Sequence, residues 1–128
     1  MNRKTKPRWK LRLVGKLREF KSAGNKTRSP IRISKKYSIT DVVMKFGEIT
    51  KCYLTGKKID LTKPDLYSLD HIIPSSRGGT NDLSNLGIST LEANQSKSNL
   101  LLPEFLDLCE EILRRHRPYI FDENKREK

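Results

Sequence analysis

The sequence predicts an α+β domain of strand, loop, strand and helix, flanked by further helices and preceded by a basic extension. Three observations predict it. Tyr67, Leu69, His71 and Ile73 alternate with Ser68, Asp70 and Ile72 up to Pro74, a period of two that marks a short strand. Pro74 to Asn85 is turn chemistry throughout (Pro, Ser, Gly-Gly, Thr-Asn-Asp), and Leu86 to Ile88 can supply a second strand. Thr90 is then placed to N-cap a helix over Leu91–Asn99, with Asn94 and Lys97 one turn apart on one face.

The remaining elements follow from spacing. Trp9, Leu13, Leu17 and Phe20 recur at helical intervals, predicting a helix from Arg8 to Ala23, stopped by Gly24, whose apolar stripe docks on the core or on a partner. Ser38 to Asp41 reads S-I-T-D, a capping-box variant that opens a short helix closing at Gly47. Cys52 to Leu61 predicts a hairpin or turn with T-G-K-K at the bend, and Cys52 is expected as a small buried residue. Pro103 begins a helix to Arg115 whose stripe of Phe105, Leu106, Leu108, Cys109, Ile112 and Leu113 is expected to support the core.

At 128 residues, with 34% hydrophobic, the chain allows one modest core with solvated extensions. Lys and Arg outnumber Asp and Glu by 27 to 15, the balance of a protein that meets nucleic acid. The imbalance is local: residues 1–36 hold fourteen Lys and Arg against Glu19 alone, and residues 37–128 hold thirteen against fourteen acids. We divide the chain into a basic DNA-binding helix and arm over 1–36, a central domain with its supporting helix over 37–121, and a charged tail over 122–128. The candidate phosphate contacts of the first segment are Arg8, Lys10, Arg12, Lys16, Arg18, Arg28 and Arg32. Two cysteines make no disulfide framework, and no apolar run reaches signal-peptide or membrane length, so a cytoplasmic protein without a membrane partner is expected.

Asp70, His71 and Asn94 carry the chemistry. A carboxylate and an amide oxygen are hard ligands suited to Mg²⁺ or Mn²⁺. A neutral imidazole beside them can take a proton from water near pH 7. A cation, a base and an open coordination position together describe phosphodiester hydrolysis.

D-H-I-I-P-S-S-R-G-G-T-N-D-L-S-N-L, followed by E-A-N-Q-S-K-S, resembles the HNH endonucleases, the ββα-metal (His-Me finger) superfamily, over about Lys51 to Leu101. The resemblance implies that Asp70 is a metal ligand, that His71 is the general base, and that Asn85 braces the loop and holds the His71 ring. Asn94 would be the second metal ligand, standing where many members have the last histidine, which makes an H-N-N form and favours Mg²⁺. Arg77 and Lys97 lie where they could hold the scissile phosphate. The C-x-x-C pairs of many relatives correspond to Cys52 with Thr55 and Thr90 with Ala93, so no structural zinc is expected. The implied substrate is duplex DNA, entered at the minor groove and nicked to 5′-phosphate and 3′-hydroxyl ends. A homodimer, or a larger assembly of the kind phages and mobile elements use, is a further implied partner. The alternatives are a non-catalytic DNA-binding module and a nuclease of RNA or single strands.

Overall fold

The computed structural model describes residues 6–23 and 35–122. Its centre is an antiparallel hairpin of β3 (Tyr67–His71) and β4 (Leu86–Thr90), with Leu69 opposite Ile88, Asp70 opposite Gly87 and His71 opposite Leu86. Alternation gives the hairpin two unlike faces. Tyr67, Leu69, Leu86 and Ile88 form an apolar face; Ser68, Asp70, Gly87 and Ser89 form a small and polar one.

Helix α1 (Arg8–Ser22) covers the apolar face. Its Leu13, Leu17 and Phe20 are buried in one core with Tyr37, Val42, Leu61, Tyr67, Leu86 and Ile88. Burial of side chains this size contributes roughly 1.5–3 kcal/mol each, so the helix is structural as well as basic. Its cations divide accordingly. Arg12 pairs with Asp65 at 2.6 Å, Lys16 donates to the Tyr67 carbonyl at 3.0 Å, and Lys21 donates to the Tyr37 carbonyl. Burial and the neighbouring Arg12 lower the Lys16 pKa, against the pull of Asp65 and Glu19. Arg8 and Arg18 remain exposed, while Lys10 lies over the Trp9 ring.

Helix α2 (Ile39–Phe46) starts as its sequence predicts, with the Ser38 amide donating to the Asp41 carboxylate at 2.9 Å, and stops at Gly47. A second hairpin, β1 (Ile49–Lys51) with β2 (Lys58–Asp60), follows. Strand β1 has no alternating signal of its own and was not expected; the turn between the strands is where the sequence places it, with Gly56 at φ 78°. Cys52 is buried in that turn, and its sulfur accepts from the Thr55 and Thr90 amides, each at 3.4 Å. Burial pushes the thiol up, but those hydrogen bonds outweigh it and leave the pKa lowered. Cys52, Thr55 and Thr90, three of the four positions that correspond to a Cys₄ site, thus meet at one sulfur.

Helix α3 (Leu91–Lys97), capped by the Thr90 hydroxyl accepting from the Ala93 amide at 3.3 Å, packs on the hairpin. It ends two residues sooner than its pattern suggests, with Ser98 at φ 50°. Helix α4 (Leu102–His116) departs further from expectation. None of its residues is buried, and Leu106, Leu108, Ile112 and Leu113 are exposed. Its apolar stripe therefore does not support the core. The helix is held at its ends, by Glu104 at the start and by the 3₁₀ turn Pro118–Phe121, where Arg114 lies 4.1 Å from the Phe121 ring.

Candidate active site

The chemistry gathers at the end of β3, on both faces of the strand. Asp70 looks to the polar side. Its carboxylate accepts from the Tyr53 hydroxyl, and Lys97 on α3 lies within electrostatic reach. Burial pushes the Asp70 carboxyl above its ordinary range, although Tyr53, Lys97 and His71 all pull it down. Tyr53 is raised in turn, by burial and then by donating to Asp70. Gly87 makes this arrangement possible: a Cβ there would lie 2.7 Å from the Tyr53 ring.

Lys97 is fully buried, and its Nζ has no hydrogen-bond partner among the described residues. Asn94 lies one turn earlier on α3, half-buried, and its side-chain amide makes no hydrogen bond among the described residues.

His71 looks the other way. Its ring stacks on Phe20 of α1, and its Nε2 lies 2.8 Å from Asn81 Oδ1. Asn81 is fully buried; its Nδ2 donates to the Lys21 and Ala23 carbonyls at 2.8 and 3.1 Å, and its own carbonyl accepts from the Tyr37 hydroxyl at 2.6 Å. Burial, and then Asp82, push the Tyr37 phenol up to about 12, so it remains a donor at neutral pH.

The amide that meets the His71 ring is thus Asn81, and not Asn85. Both ends of Asn85 are taken by the loop: Oδ1 accepts from the Ile73 amide at 2.9 Å, and Nδ2 donates to the Ile73 and Thr80 carbonyls at 3.0 and 2.8 Å. Asn85 closes the segment between the strands on itself. Its neighbour Gly79 has no room for a side chain, since a Cβ would sit 1.6 Å from the Ile73 oxygen.

One further expectation changes. Arg77 forms a two-pronged ion pair with Glu104, at 2.8 and 2.9 Å, so both terminal nitrogens of its guanidinium are engaged within the chain and are not offered to a phosphate. Lys97 is interior and not a surface charge. Arg28 and Arg32 lie outside the described residues.

The donor set suits a hard cation. Among the described residues no three His, Cys, Asp or Glu side chains cluster. Asp70 and Asn94 offer one carboxylate and one amide oxygen, which suits an ion that keeps most of its own water, as Mg²⁺ does. Asn81 was missed from the sequence because it sits inside T-N-D, where an asparagine is ordinary turn chemistry.

Residues 52–101 match the family of HNH endonucleases. No curated protein and no solved structure matches the chain. The matched stretch contains the β3–β4 hairpin, the loop closed by Asn85, helix α3, and Tyr53, Asp70, His71, Asn81, Asn94 and Lys97. No helix among the described residues is long and apolar enough to cross a membrane. The match over residues 52–101 supports reading this stretch as an HNH endonuclease domain.

Proposed function

We propose that the protein hydrolyses duplex DNA, one strand per visit, with His71 as general base and a hard divalent cation, Mg²⁺ by preference, held by Asp70 and Asn94. The observation that carries this reading is the buried side chain of Lys97, whose Nζ has no hydrogen-bond partner among the described residues, beside the desolvated carboxylate of Asp70. A buried polar group without a hydrogen bond is costly, and a phosphate arriving beside Asp70 and Lys97 offsets part of that cost. A cation held by the two oxygen ligands would supply Lewis-acid stabilisation of charge at phosphorus and at the leaving oxygen.

The chain's own residues do the rest. Arg8, Lys10 and Arg18 of α1 contact DNA phosphates, which suits their place on a helix where Arg12, Lys16 and Lys21 already secure the fold. His71 takes the proton of the attacking water, and Lys97 offsets the charge that grows on the phosphate. Asn85 keeps the loop closed and with it the course of the chain after His71. The products are 5′-phosphate and 3′-hydroxyl ends. One centre cuts one strand, so a double-strand break takes two copies or two visits.

The test compares cleavage of supercoiled duplex DNA, single-stranded DNA and RNA in Mg²⁺. Nicked circles that vanish with chelator, together with a His71→Ala variant that binds DNA without cutting it, are the expected result. Cleavage retained by that variant removes His71 as base. Cleavage of RNA alone reassigns the substrate, and DNA binding without any cleavage makes the protein a binding module.

A further inference from the structure

We propose that Asn81 is a positioning residue: anchored on the backbone of α1, it holds His71 as the Nε2–H tautomer and reserves Nδ1 as the basic nitrogen. The inference rests on His71 being the base, and its grounds are a closed chain of hydrogen bonds.

An asparagine amide can be turned end for end, and its orientation is settled by what its neighbours are able to do. Nδ2 of Asn81 meets two backbone carbonyls, those of Lys21 and Ala23, at 2.8 and 3.1 Å. Carbonyl oxygens only accept, so the NH₂ group must face them. The other end of the amide, facing Nε2 of His71 at 2.8 Å, is then an oxygen, which also only accepts. The hydrogen between them belongs to Nε2. In the neutral ring the lone pair is left on Nδ1, which makes no hydrogen bond among the described residues.

Two features keep the amide from turning. Asn81 is fully buried, so a flip would set oxygen against oxygen without water to relieve it. Its own carbonyl is fixed by the Tyr37 hydroxyl, whose residue also takes the Lys21 ammonium. The two carbonyls belong to the last turn of α1 (Lys21) and to its C-cap (Ala23), where a helix leaves such groups without intrahelical donors. Asn81 therefore satisfies the end of the basic helix with one end of its amide and orients the base with the other. The segment that draws in DNA and the residue that activates water are joined through one side chain.

The deciding measurement is long-range ¹H–¹⁵N correlation of the His71 ring in the full-length protein, with the imidazole neutral, which reports the tautomer without reference to activity. The wild-type ring is expected as Nε2–H alone; a predominant Nδ1–H form overturns the proposal. Asn81→Ala is expected to give a mixture of the two tautomers and to lower kcat about tenfold or more with KM for DNA unchanged. A folded Asn81→Ala protein with the wild-type tautomer and kcat also overturns it. If that variant does not fold, the wild-type spectrum still decides. Cleavage surviving in His71→Ala would instead remove the base assignment and leave the tautomer result standing.

Discussion

Phe20 and His71 lie face to face, with ring centroids 3.9 Å apart and planes 12° from parallel. The contact joins α1 to His71 at the end of β3. Phe20 is also a core residue, 3% exposed, so two substitutions separate its roles. Phe20→Ala is expected to cost about 3–5 kcal/mol, a large part of the roughly 5–15 kcal/mol that holds such a domain together. Phe20→Leu keeps most of the volume at a cost below about 1.5 kcal/mol and loses the stack. It should stay folded in urea titration while cutting more slowly. Full cleavage by a folded Phe20→Leu protein would show that the ring does not position His71.

Lys97 yields the opposite pattern. Its Nζ has no hydrogen bond to lose among the described residues, and methionine preserves the buried stem. Lys97→Met should hold or raise the melting temperature while lowering cleavage by roughly 10²–10³-fold, the scale expected when one group opposing transition-state charge is removed. Thermal unfolding and single-turnover cleavage measured on the same sample test this. Loss of both together, or of neither, would refute the assignment.

Glu104 carries an acid-side dependence. The Arg77 hydrogen bonds, and then the Leu101 amide, hold its carboxyl at about 2, below the ordinary 4.5. A depressed pKa means that the ionised form is the one the fold favours. The stabilisation is complete above the ordinary value and is lost as pH falls from 4.5 through 2. An NMR titration of the Glu104 carboxyl should therefore show a midpoint near 2 in the wild type, moving upward in Arg77→Ala. A wild-type midpoint near 4.5 would mean that the pair does not form in solution.

The two adjacent glycines separate steric from conformational cost. At Gly79 a Cβ would strike the Ile73 oxygen and come within 2.9 Å of Asn85 Nδ2. Gly79→Ala should thus lose about 2–5 kcal/mol, combining overpacking with a disturbed buried hydrogen bond. Gly78 has open space but a φ of 93°, so Gly78→Ala should lose only about 1–2 kcal/mol. Chemical denaturation of both variants checks the order, and equal losses would contradict it.

Much of this was legible in the sequence because local rules governed it. The alternation from Tyr67 to Ile73 marks β3, the S-I-T-D cap marks α2, and the spacing of Trp9, Leu13, Leu17 and Phe20 marks α1. What stayed hidden depends on contacts between distant segments. Periodicity says that the α4 stripe exists but not whether anything covers it, and here it is left exposed. Turn chemistry flags both Asn81 and Asn85, yet only the fold shows which amide meets His71. Charge alone cannot distinguish Lys97, sealed inside, from Arg77, tied to Glu104.

The hairpin turns His71 toward one helix and Asp70 toward another, and the first of those helices precedes both strands in the sequence while the second follows them. During synthesis α1 emerges first and waits for the strand that carries His71, while Lys97 comes last, after both strands have left the ribosome. On the proposed reading, a partly made chain consequently holds no complete cutting centre. The proposed centre is complete only with the last turn of α3.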